Sequence, residues 1–328
     1  MSMKGYKGFE KDWTCINQRY AIGETVTVEG KLELCNNGIH YCKNPLGVFA
    51  FYEPCNSRFA LIEASDEHLE ESDLGYTCTK CCARSITVVR ELDAWDMVFL
   101  AEGHMAAYST GKEQKIHTED YCNGRTSVTY MNSPNCYWVS NDTMVLATEM
   151  WSCARNTCGA ISITLAPLSI ALLERGWEGL ALAYGSQSAA RAKSSGALAV
   201  TLGSCSVSIA EGDNSVAFVS AINSLAVVKG DNSVGMATFK ASKVLLEGSG
   251  CIALVHGDVE VRGKGCVVML IKGYKKTATI KAVAGTRLLI PFLDTMTYNE
   301  IICGEADDWP AGVARRYIDI MEDFLKNV

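Results

Sequence analysis

Residues 203–238 read GSCSVSIAE, GDNSVAFVS, AINSLAVVK and GDNSVGMAT, four consecutive blocks of nine that align without a gap. Gly212, Gly230 and Gly248 stand 18 apart, and Gly203 precedes Gly212 by 9. A fixed short period is the signature of a repeat fold and takes precedence over any element-by-element reading. The fourth position of each block is Ser, and Cys251 in the block from Gly248; the fifth is Val, Leu or Ile. Nine residues hold one short strand and one tight turn, so two blocks make an 18-residue coil of a parallel β-solenoid.

The register runs backwards through the blocks at Ser194, Gly185 and Gly176, slips by one residue and continues weakly to about Asn123. Forwards it decays after Gly265. Strand alternation sends positions five and seven to one face, which makes Val207/Ile209, Val216/Phe218, Leu225/Val227, Val234/Met236 and Ile252/Leu254 the expected core stripe. Positions four and six are small, so the opposite face is expected to be flat and open to close approach. Gly and Asn/Asp at the block start are expected to supply positive φ for the turn.

A calcium-binding nonapeptide roll needs aspartates in every Gly-rich turn, and here only Asp213 and Asp231 recur. DNSVAF and DNSVGMA resemble the head repeats of bacterial trimeric adhesins. That resemblance implies a parallel β-roll and a homo-oligomer.

Outward from the repeat, the expected fold class is mainly β: a small N-terminal α+β domain over residues 1–100, a linker leading into the solenoid over 101–122, solenoid repeats over 123–273, and C-terminal strands with a capping helix over 274–328. Thr277–Val283 and Leu288–Ile290 read as strands. Asp308-Trp309-Pro310 opens a helix to about Lys326, with Val313, Tyr317, Ile320, Met321 and Phe324 on one stripe. That helix would cap the open end of the solenoid or pack against a partner subunit.

The 328 residues are 48% hydrophobic and 20% charged, enough for sizeable cores, and the net charge of −7 without clustered Lys/Arg argues against nucleic acid as a partner. MSMKGYKGFEKDW carries no apolar run after its lysines, and no stretch approaches a membrane span. A soluble protein of the host-cell cytoplasm, with no membrane partner, is the expectation. Fifteen cysteines lie largely in strand-like apolar segments and read as free, buried thiols. Cys78-x-x-Cys81 could give two zinc ligands, completed only by tertiary contact from His117 with Cys122 or Cys136; buried strand cysteines with no metal are the favoured reading. His68, His104, His117 and His256 are scattered, and the acidic run of Asp66, Glu67, Glu70, Glu71 and Asp73 reads as a solvated loop.

In the N-terminal domain, strand candidates are Tyr20–Val28, Lys31–Leu34, Phe59–Ala64 and Ser85–Leu92. GIHYCKNPLGVF, from Gly38 to Phe49, reads as a strand followed by a short helix with Asn44 as its cap and Pro45 in its first turn. Such a strand-to-helix corner suits a site, and Lys7, Tyr41, Tyr52 and Arg58 are the candidate binding residues. GYKGFEKD, LCNNGIHYCKNPLGVFAFYEP, SRFALIEA and CARSITVVREL, with the Gly/Ser-rich repeats, resemble an uncharacterised family of phage and prophage proteins. The resemblance implies a phage origin and no particular reaction.

GIHY followed by a helix and a strand ending in LIEA is also similar to the NAD-binding corner of ADP-ribosyltransferases. That likeness implies Lys7 at the nicotinamide ribose, His40 in place of the stacking Tyr, and a catalytic Glu, for which TYNEIICGE offers Glu300, with NAD as cofactor. The favoured expectation is a non-catalytic phage-encoded accessory protein without cofactor, binding a host or anti-phage defence protein through a multimerising scaffold. An ADP-ribosyltransferase-like enzyme using His40 and Glu300, or a virion structural protein, are the alternatives.

Overall fold

The computed structural model describes residues 3–65, 68–70, 80–108, 128–131, 137–140, 144–157, 161–175, 179–239, 241–271, 279–291 and 298–302. Two bodies of β structure are joined by one long helix. The first is a seven-stranded antiparallel sheet built from β1 (Met3–Phe9), β4 (Thr25–Thr27), β5 (Ile39–Cys42), β6 (Arg58–Ala64), β7 (His68–Glu70), β8 (Lys80–Ala83) and β9 (Ser85–Leu92), in the order β4-β9-β6-β1-β5-β8-β7. A separate hairpin, β2 (Thr14–Cys15) and β3 (Gln18–Arg19), stands beside it. Two sequence expectations fit closely, since β9 covers Ser85–Leu92 and β6 adds Arg58 to Phe59–Ala64. Lys31–Leu34 is not a strand; it lies in a turn closed by an isolated bridge between Glu33 and Asn37.

The strand-to-helix corner is as expected. β5 is followed by a 3-10 helix, Pro45–Ala50, whose Asn44 side chain accepts the Leu46 N–H at 2.9 Å. After β9 comes α1 (Ala94–Tyr108), which runs across residue 100. Asp93 caps it, accepting the Asp96 N–H at 2.7 Å, while Asp96 accepts the Asp93 N–H at 3.3 Å, a reciprocal cap.

The second body is the solenoid, two sheets of 11 and 9 strands with alternate strands going to each. Ladders are parallel and in register: Leu198 pairs with Val216, Val216 with Val234 and Val234 with Ile252, each step 18 residues. The period tightens to 15 at Ile252 and Val267, and the ladder continues past residue 273 through Ile280–Lys281 and Arg287–Pro291. Tyr298–Ile302 closes the longer sheet as an antiparallel edge. The expected C-terminal helix over 308–326 lies outside the described residues.

The faces are opposite to the sequence expectation. Positions six and eight point inward, and the interior is lined by Ala181, Ala183, Ala190, Ala192 and Ala199 in early coils and by Val244, Leu246, Val255, Val261 and Leu270 in later ones. Positions five and seven point outward. In the longer sheet Ile161/Ile163, Leu180/Leu182, Val216/Phe218, Val234/Met236, Ile252/Leu254 and Val267/Met269 keep part of their surface exposed. The reason is thickness: a two-strand coil is thin enough that the residues at six and eight, Ala in many coils and Val or Leu in others, fill it by themselves.

Position four is interior as well, and its serines form two ladders. Along one row of turns the N–H groups of Ser169, Ser188, Ser206 and Ser224 donate to the hydroxyls of Ser188, Ser206, Ser224 and Ser242 at 3.2–3.3 Å. The other row runs Ala197, Ser215, Ser233, Cys251. Each hydroxyl also donates to turn carbonyls, so buried backbone groups that water cannot reach are satisfied.

Positive φ falls on the third position, at Asn214, Asn223 and Asn232, and not on the block-start glycines. Those glycines serve stacking instead: a Cβ on Gly230 would be driven into the carbonyl of Gly212 one coil earlier.

The outer face of the shorter sheet is covered. Ile170, Leu172, Val207, Ile209, Leu225 and Val227 pack with Phe49, Phe59, Met97, Val98 and Ala101 in one core shared by the N-terminal domain, α1 and solenoid. Arg191, 3% exposed, locks the joint: it pairs with Glu102 of α1 at 3.2 Å and with Glu211, and lies over the Trp95 ring at 5.1 Å. Trp95 donates to Glu211 at 2.8 Å and stacks on Phe99.

Candidate functional site

Strand β1 carries Gly5-Tyr6-Lys7-Gly8-Phe9, and the two glycines decide what its neighbours can do. A Cβ on Gly5 would enter the Tyr41 ring, and one on Gly8 the Tyr52 ring. Bare backbone at both places lets the two tyrosines lie against the strand on either side of Lys7.

A cleft of about 480 Å³ opens there, in the range of small-molecule sites. Its walls come from β1, the β2–β3 hairpin, β5, β8 and the segment after the 3-10 helix, with Lys7, Cys15, Tyr20, His40, Tyr52 and Lys80 as the principal polar groups. Among the described residues no Asp or Glu lines it. Ile16, at the hairpin tip, is 89% exposed and stands at the rim.

Lys7 is 4% exposed. Its ammonium donates to the His40 carbonyl at 3.0 Å and the Cys15 sulfur at 3.3 Å, and lies near the rings of Phe9 and Tyr20 at 5.5 and 5.6 Å. Among the described residues it has no carboxylate partner. Tyr52 donates its hydroxyl to the same sulfur at 2.9 Å. Burial above all, with Cys15 adjacent, raises the pKa values of Tyr20 and Tyr52, so both phenols stay protonated as donors.

His40 accepts the Cys35 N–H at Nε2, 2.9 Å, which puts its proton on Nδ1 when the ring is neutral. Burial first, then the charges of Lys80 and Lys7, lowers its pKa below the ordinary value, so the neutral ring is the form at pH 7. Lys80 donates to Cys35 at 2.9 Å and faces the Phe51 ring at 5.5 Å. The cleft therefore offers an ammonium, phenolic donors and several aromatic faces, and no acceptor carboxylate.

Of the residues singled out from sequence, Lys7, His40, Tyr41 and Tyr52 come together here. Arg58 does not line this cleft. It forks onto Glu91 at 2.8 and 3.0 Å and stacks on Trp13 at 4.7 Å, which gives it a structural role. Glu300 is not brought to His40: it sits in Tyr298–Ile302, opposite Leu289 in the 11-stranded sheet, while His40 is in the seven-stranded one. Cys81 and Cys82 are buried on β8, and Cys78, His117, Cys122 and Cys136 lie outside the described residues. Sequence reading missed Cys15 and Lys80. Lys80 enters through its register opposite Cys42, and no local pattern marks it; the Thr14–Arg19 hairpin that carries Cys15 has only a tight turn at Ile16-Asn17 as its signal.

Residues 3–100 match the model of a domain of unknown function, DUF7666, a span that holds the whole seven-stranded sheet and every residue of the cleft. No curated protein and no solved structure matches the chain.

Proposed function

We propose that this protein is a non-catalytic binding protein whose N-terminal domain takes a small anionic ligand carrying a flat ring, of the nucleotide class, with the solenoid as its scaffold. The observation that carries the reading is Lys7. An ammonium withdrawn from water is costly unless an opposite charge or good acceptors face it, and this one meets one carbonyl, one sulfur and aromatic rings in a cleft without carboxylates. A phosphate at Lys7 supplies the missing charge, and a base or similar ring suits the walls of Tyr20, Tyr52 and Phe51.

Among the described residues the cleft lining offers donors and aromatic faces and no carboxylate, which suits binding of an anion. The motif likeness to phage and prophage proteins extends the proposal to an accessory protein acting in host cytoplasm, with a host or defence component as the ultimate target.

Calorimetric titration with AMP, ATP, NAD and inorganic phosphate tests the ligand class. Nucleotide binding that Lys7→Met weakens by about ten- to a hundredfold, the range for a charge-assisted hydrogen bond, supports it. No binding by any of them at millimolar concentration, with the variant folding as wild type, refutes it.

A further inference from the structure

The two outer faces of the solenoid provide a comparison within one molecule. On the shorter sheet most outward positions under the N-terminal domain and α1 are apolar, as at Ile170, Val207 and Leu225, while Arg155 and Arg191 stand among them paired with Glu102 of α1. Toward the end of that cover they become charged: Lys243 and Glu260 pair at 2.6 Å, and Asp258 and Lys281 follow. Apolar outward residues on this roll thus mark a covered surface.

On the longer sheet the apolar pattern has no such limit. Over eight strands, from Met144–Ala147 to Val267–Leu270, both outward positions of every strand are apolar and none is charged. At the next position Leu165, Tyr184 and Leu202, 44, 60 and 37% exposed, extend the apolar surface before the row turns polar at Ser220, Thr238 and His256. Nothing among the described residues packs on this face.

We infer that the face is the contact with a second copy of this chain, the two longer sheets packing face to face about a two-fold axis. Size is the first argument. Eight strands about 4.8 Å apart with two outward rows about 6.6 Å apart, and a third apolar row over three of the strands, give a patch of about 600 Å², against the roughly 800 Å² per partner of a standard interface. A patch of this extent lies at the top of the range for monomers, where such patches are often functional.

Charge is the second argument. The chain carries a net −7, so two copies repel through most of their surface, while this face brings no charge to the contact. Shape is the third: an apolar sheet face packs well against another sheet face of the same kind, which a two-fold copy supplies.

Sedimentation equilibrium and native mass measurement of the full chain test this. The expected result is a dimer. Phe218→Lys and Leu182→Lys, each at an outward position in the middle of the face, should each weaken it at least tenfold with unchanged far-ultraviolet circular dichroism, while Ile16→Lys at the exposed hairpin tip leaves it intact. A monomeric full chain overturns the inference, whether the face is then bare, taken by a host protein or covered by the chain's own residues 109–127 or 303–328. A dimer that survives both solenoid lysines overturns it equally.

Discussion

Replacing Ser224 by alanine removes one acceptor from the interior of the solenoid and adds no bulk. In the native protein the Ser224 hydroxyl accepts the Ser206 N–H at 3.2 Å and donates to the carbonyls of Ile222 and Gly203 at 3.1 and 3.3 Å. Ser224 is fully buried, so no water replaces the hydroxyl. The Ile222 carbonyl keeps its bond from the Cys205 N–H, while the Ser206 N–H and the Gly203 carbonyl lose the partner that Ser224 gave them. An unsatisfied buried donor costs about 1–3 kcal/mol. Urea unfolding should show that loss, and exchange of the Ser206 amide should accelerate about tenfold per 1.4 kcal/mol if it opens locally. Ser224→Cys is the control, because Cys251 fills the matching place in the other ladder, accepting the Ser233 N–H at 3.5 Å and donating to Gly230 at 3.2 Å. It should cost less than half as much. An alanine variant within about 0.3 kcal/mol of wild type would refute the idea that the ladder is a required set of hydrogen bonds, since small effects of that size are usual for neutral surface positions.

Gly230→Ala should cost more than about 4 kcal/mol, or abolish folding of the coil, because its Cβ meets the backbone of the preceding coil. Gly265→Ala, at φ 66° with open space around it, should cost only about 1–2 kcal/mol, and Gly265→Asn less, as Asn214, Asn223 and Asn232 hold that conformation elsewhere; thermal melts rank the three. Arg191→Ala should destabilise by about 3–5 kcal/mol, since Glu102 and Glu211 lose a buried partner, and limited proteolysis should then separate the N-terminal domain from the solenoid. Stability should also fall in two stages as pH drops. Burial, then a nearby lysine, lowers the folded pKa of His40 and His104, so the unfolded chain takes up protons first and stability declines once pH falls below about 6.5. Burial pushes Glu174 and Glu260 up, but hydrogen bonds from Arg155 and Lys193, and from Lys243 and Arg262, outweigh it and leave both below the usual range; their contribution is present above about pH 4.3 and is lost as pH falls through the folded values. Melting temperature against pH, with His40→Asn and Glu260→Gln, separates the stages.

How far the fold can be read in advance depends on what each signal encodes. The nine-residue period is covalent and survives any packing arrangement, so the two-strand coil and its 18-residue step follow from Gly203 to Gly248 directly. Alternation also follows, but it does not say which set of residues is inside. The rule that the larger side chains of a strand go inward fails at Leu180–Ala183, where Ala181 and Ala183 fill the interior and Leu180 and Leu182 point out. Helix α1 escapes notice for a related reason. AWDMVFLAEGHMAAY has no polar face of ordinary width because it packs between a sheet and the solenoid, so its periodicity is weak. The reciprocal cap of Asp93 and Asp96 was the usable signal.

The cleft was partly legible for a different reason. Asn44-Pro45 announces a turn from strand to helix, and such a corner places β5 side chains at an edge, which brings in His40 and Tyr41. Lys7 belongs there because Gly5 and Gly8 thin the neighbouring strand, a close-approach argument that needs only the sequence once β1 is set beside β5 and β6. Glu300 could not be assigned that way. Its context matched a motif, but its position is decided by the pairing of Leu289 with Glu300, in a different sheet from the strands that build the cleft. Lys80 and Cys15 show the converse limit, since they join the cleft through a strand register and a hairpin that no local pattern marks. The two faces of the solenoid differ too: what covers the shorter sheet is visible in its contacts, while what covers the longer one is written in its composition, sixteen outward positions without a charge.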